Sequence, residues 1–172
     1  MNCKYCINPE VNAEKPRKFL CLEKLHETIL YLNKTYFKNI IIEITGGEPT
    51  MHPQLMQFCS ICNWICEIKI ITNLTRDIEY YRNLLQYGNI KLCASFHYIN
   101  LKQMRIFIEK ILKIHEEFKQ KIDSVFIMLI PENFEECAKI YQLLKTTGIK
   151  TYGCRIHPNG RYNPKYSINQ VE

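Results

Sequence analysis

The chain lacks any apolar stretch near the ~18 residues that a membrane-spanning helix needs, which excludes an integral helical membrane protein. It opens on no secretory leader, and its nine cysteines are odd in number, so a complete disulfide framework is excluded and a reducing cytoplasm is the expected compartment. Runs of one charge are missing too. The formal charge of +6 comes from scattered residues, which gives little support to a nucleic-acid partner and suits an anionic substrate equally well. Internal repeats, low-complexity tracts and linkers are absent, so a single domain over residues 1–172 is the simplest division. What is present is a core: 172 residues at 47% hydrophobic content fill one domain, short of the roughly 250 residues of a complete eight-unit barrel.

Strand-like and helix-like runs alternate along the chain. Leu22, Leu25, Ile29, Leu32 and Tyr36 recur at helical spacing, and the apolar run Ile40–Thr45 follows as a buried strand. A helix is expected from His52 to about Ile65, a strand over Glu67–Thr72, and a polar helix over Asp77–Tyr87 that stops at Gly88. Next come a strand over Ile90–Phe96 and the longest helix, with Met104, Ile108, Ile111, His115 and Phe118 on one face. A strand over Val125–Ile130, a helix from Asn133 to about Thr146 stopped by Gly148, and a strand over Thr151–Ile156 complete the series. Strand-helix units of this length imply parallel pairing, and Ser167-Ile168-Asn169-Gln170 reads as a capping box opening a further helix.

Two motifs carry the chemistry. Met1-Asn2-Cys3-Lys4-Tyr5-Cys6 begins the chain, and Thr45-Gly46-Gly47-Glu48-Pro49-Thr50 falls at the carboxyl end of a strand, where parallel α/β folds bind ligands. A lone Cys-x2-Cys also suits a zinc knuckle or a thiol-disulfide pair, and Gly-Gly-Glu-Pro also suits an ordinary strand-to-helix turn. Cys59, Cys62 and Cys66 form a second cluster, which at i, i+3 and i+7 shares one helix face with Leu55 and Phe58 and reads as packing. Cys21, Cys93, Cys137 and Cys154 invite the same reading.

In their order and context the two motifs resemble the radical S-adenosylmethionine enzymes, whose cluster loop is Cys-x3-Cys-x2-Cys with an aromatic residue before the last cysteine. The resemblance runs from Met1 to about Gly160. Cys3 and Cys6 match the second and third cysteines and Tyr5 the aromatic residue, whereas the first cysteine would lie two positions before Met1. The resemblance implies a partial, parallel (β/α) TIM-like barrel of about five strands with its first strand missing, incomplete at both ends. A start site set inside the cluster loop and a true fragment both explain the cut motif. It further implies a [4Fe–4S] cluster held by Cys3 and Cys6 with a third thiolate, and S-adenosylmethionine chelated to the open iron. Reductive cleavage of that cofactor gives a 5′-deoxyadenosyl radical, which abstracts hydrogen from an organic substrate that the sequence leaves unidentified.

On the same resemblance Gly46 and Gly47 admit the methionine moiety, Glu48 receives its ammonium and Pro49 sets the turn. Thr72, Asn73, Ser95 and His97 lie at strand ends where the ribose or carboxylate would be touched, and His157 falls near adenine or substrate. Each keeps a structural alternative: Thr72 and Asn73 as helix caps, His97 and His157 as hydrogen-bonded structural imidazoles. The implied electron donor is of flavodoxin or ferredoxin type. The enzymatic reading stands against a catalytically silent fragment or a zinc or redox module at the Cys-x2-Cys pair, because a two-thiolate site holds at best a labile cluster.

Overall fold

The computed structural model of the protein describes residues 21–36 and 39–155. Five strands, β1 (Ile41–Ile44), β2 (Glu67–Thr72), β3 (Ile90–His97), β4 (Ile122–Leu129) and β5 (Thr151–Arg155), form one sheet in the order β1-β2-β3-β4-β5. Every pairing is parallel. Helices α1 (Leu22–Thr35), α2 (Leu55–Cys62), α3 (Ile78–Leu85), α4 (Leu101–Glu117) and α5 (Phe134–Thr146) alternate with the strands. A doubly wound sheet reverses its strand order to place helices on both faces. An unreversed order with right-handed crossovers keeps them on one face, as in a (β/α) barrel. Among the described residues β1 and β5 are the sheet's two edges, so these strands form an open, partial barrel, with the parallel pairing that the alternating pattern predicts.

The burial pattern follows from that one-sided cover. Ile68, Ile70, Ile90, Leu92, Ala94, Phe96, Val125 and Ile127 face the helix layer and form one core with Leu55, Phe58, Tyr81, Leu84, Ile111 and Ile140. The alternate residues make an opposite, concave face that is polar toward the strands' amino ends. There Lys69 meets Asp123 at 3.2 Å and Lys91 meets Glu67 at 2.8 Å. Nearer the carboxyl ends the rings of Phe126 and Tyr152 stack at 5.4 Å.

Some expected boundaries and faces move. The helix expected over His52 to Ile65 is shorter, because Pro49–Met51 forms a separate 3-10 turn and the chain turns again after Cys62. Cys66 therefore lies outside α2, yet it is buried with Cys59 and Cys62. On α4 the buried stripe is Phe107, Ile111 and Ile114, with Met104, Ile108, His115 and Phe118 half-buried at its margin. Phe107, which was not among the expected face residues, packs on Phe96 of β3 with ring centroids 5.0 Å apart. Cys21 is exposed just before α1 and does not pack, whereas Cys137 is buried on α5 and its thiol donates to the Met128 carbonyl at 3.6 Å. Gly148 ends α5 with a φ of +80°, a left-handed stop that glycine adopts without strain. The capping box at Ser167–Gln170 lies outside the described residues.

Candidate active site at the strand carboxyl ends

The turn after β1 is built by its own residues. Gly46 sits at φ +149°, a region that disfavours any residue with a Cβ, and a Cβ placed there meets no atom of the described residues within 4 Å. Pro49 starts the 3-10 turn with its fixed φ, and Glu48 caps it.

The Glu48 side chain ties two strand ends together. Its Oε1 accepts from the Thr50 amide at 3.1 Å, the Thr50 hydroxyl at 2.7 Å and the Thr72 hydroxyl at 2.8 Å. Its Oε2 accepts from the Asn73 amide at 2.8 Å. Among the described residues four donors thus hold one half-buried carboxylate between the ends of β1 and β2, three of them on Oε1 and one on Oε2. Thr72 itself is 1% exposed and turned to the helix layer; its oxygen also accepts from the Leu74 amide at 3.1 Å and lies 3.3 Å from the Tyr81 hydroxyl. Asn73, the next residue, is half-buried, and its backbone supplies the contact to Glu48.

His97 closes β3 and pairs in register with Met128. Burial pushes its imidazole below the ordinary value of 6.5, while the Glu48 carboxylate pulls the other way, so the two groups share one electrostatic environment. Ser95 is half-buried two residues earlier on the same face, beside Phe126. Glu48, Thr72, Asn73, Ser95 and His97 thus gather at the carboxyl ends of three neighbouring strands. Cys3, Tyr5, Cys6 and His157 lie outside the described residues. Among the described residues no group of three His, Cys, Asp or Glu side chains has metal-binding geometry, and Cys59, Cys62 and Cys66 are buried in the core. Burial pushes the Cys59 thiol up to about 12 and Cys62 to about 11, as expected of inert packing thiols.

Several supporting residues escape sequence reasoning. Thr50 donates twice to Glu48 and is fully buried; its position directly after Pro49 is the one signal that marks it. Tyr81, Arg76 and Lys110 carry no local signal, since their partners lie far away in the sequence or depend on the loop path. Arg76 donates from Nε to the Thr50 carbonyl at 3.2 Å and lies over the Tyr80 ring. Two grooves of about 270 Å³, one between α1 and α2 and one between α4 and α5, lie in the helix layer, away from this site.

No curated protein matches the chain. The family model of the Radical SAM superfamily matches residues 1–144, which include the Cys-x2-Cys pair, the Gly-Gly-Glu-Pro turn and every strand end gathered around Glu48. The chain belongs to the Radical SAM superfamily.

Proposed function

We propose that this chain is one radical SAM core domain that binds S-adenosylmethionine at the turn after β1 and a [4Fe–4S] cluster through Cys3 and Cys6. The observation that carries the reading is Glu48, a carboxylate that four donors among the described residues hold beside Gly46, whose φ of +149° favours glycine. Oε2, which accepts one donor among the described residues, suits the ammonium of the methionine moiety, which approaches over Gly46 and Gly47, with Pro49 fixing the turn. Thr72 and the Asn73 amide orient the carboxylate, while Ser95 and His97 offer polar contacts to the ribose or carboxylate from β3. His157 is assigned the adenine or substrate side, and Tyr5 flanks the cluster cysteines.

When bound, the cluster and cofactor supply a one-electron cleavage of the sulfonium and a carbon radical able to abstract hydrogen from an organic substrate. The electron comes from a flavodoxin- or ferredoxin-type donor, in a compartment that keeps thiols reduced, the cytoplasm. Among the described residues no helix is long and apolar enough to cross a membrane.

The test is anaerobic reconstitution with iron and sulfide, a small thiol supplying the third ligand, followed by metal analysis and titration with S-adenosylmethionine. A brown protein with about four irons that binds the cofactor is expected. A colourless zinc-loaded product under the same conditions overturns the reading in favour of a zinc module.

A further inference from the structure

The loop after β2 is the part of this site that the Gly-Gly-Glu-Pro turn does not explain. Its Asn73 amide donates to Glu48 Oε2 at 2.8 Å, and its Leu74 amide donates to the same Thr72 oxygen that holds Glu48 Oε1. Directly after these two amides the chain places Leu74, a residue with a Cβ, at φ +57°, and buries it to 3% exposure. Such left-handed backbone is disfavoured for leucine and persists only where surrounding contacts enforce it.

The enforcing contact comes from α4. Lys110 Nζ donates to the Leu74 carbonyl at 2.8 Å and also to the Arg76 carbonyl, so one ammonium bridges both sides of the turn. Partial burial pushes the Lys110 ammonium below its ordinary value of 10.5, with Asp77 pulling the other way. Its cost is offset by charge-assisted bonds to the two carbonyls. Arg76 adds a second brace through its bond to the Thr50 carbonyl on the Glu48 turn.

We propose that Lys110 is a positioning residue for Glu48: its ammonium holds the left-handed loop whose amide and whose Thr72 partner orient the carboxylate. The inference deepens the cofactor-clamp reading of Glu48 and rests on it for its functional meaning. Its structural content is tested separately, on the protein without cluster, by hydrogen exchange at the Asn73 and Leu74 amides.

In Lys110→Met, exchange at both amides rises about tenfold relative to the Leu92 amide in β3, whereas Lys110→Arg, which still reaches two carbonyls, stays within about threefold of the native protein. If Lys110→Met does not fold, Lys110→Gln is read instead; its neutral amide reaches one carbonyl, and a smaller rise is expected. Unchanged exchange in either folded variant overturns the proposal. The affinity of the cluster-loaded variants for S-adenosylmethionine then separates the two readings. Parallel loss of affinity, rescued in Lys110→Arg, supports both; faster exchange with unchanged affinity overturns Lys110 as a positioning residue for Glu48 where Glu48→Gln loses affinity, and overturns the clamp reading of Glu48 where Glu48→Gln keeps it.

Discussion

At the residue scale the site depends on how Glu48 is held. Replacing it by Gln puts an amide group where an acceptor is needed, so one of its donors loses its partner; the cost expected is about 1–3 kcal/mol of stability. If Oε2 meets an ammonium, Glu48→Gln also lowers S-adenosylmethionine affinity by about tenfold or more. Urea unfolding and calorimetric titration check the two effects separately. His97 provides an independent probe. Its folded value lies below 6.5, so the stability it contributes is present above that pH and is lost as pH falls through the folded value. Glu48 is the group that raises it, so in Glu48→Gln the His97 midpoint moves further down, measurable by NMR titration of the imidazole.

At the element scale, caps and packing faces carry separable costs. Asp77 Oδ1 accepts from the Tyr80 amide at 2.8 Å and starts α3 where Asp77 was expected to. Asp77→Ala is expected to cost about 1 kcal/mol in urea unfolding without changing iron content. On α2 the buried cysteines are packing, so Cys59→Ala and Cys62→Ala should each lose about 1–2 kcal/mol and keep iron, while Cys3→Ala and Cys6→Ala lose iron. Iron loss in Cys62→Ala would contradict the packing assignment. The elements themselves were legible because their signals are local: apolar runs gave β1 to β4, Asp77 marked the start of α3 and Gly148 the end of α5. That Phe107 is buried more fully than Ile108 was not legible, because both are apolar and the Phe96 ring that Phe107 packs on belongs to another element.

At the scale of the whole molecule, alkaline pH should unfold the protein progressively. Burial raises Cys59 to about 12, Cys62 and Cys137 to about 11 and Tyr80 to about 12. Groups raised in the fold contribute stability that is complete below their unfolded values and is lost as pH climbs toward the folded ones. The decline should therefore begin near the ordinary thiol value of 9.0 and continue to about 12, read as a falling urea midpoint. Lys110 and Lys121, lowered in the fold, work in the opposite sense, and these two lysines are outweighed by the four groups. A urea midpoint that holds constant between pH 8 and 11 would contradict this account.

Sequence by itself determined the class of the fold and placed Gly46, Gly47, Glu48 and Pro49 at the carboxyl end of a strand, where the structure also has them. These are short-range matters: a period of apolar residues, a glycine that a turn demands, a carboxylate next to a proline. Only the tertiary structure decided that Thr72 spends its hydroxyl on Glu48 and not in the open site, that Leu74 takes a left-handed backbone, and that Lys110 reaches across from α4 to hold it. These contacts join residues 24 to 36 positions apart, and no local propensity encodes which distant side chain will meet a given carbonyl once strands and helices have packed.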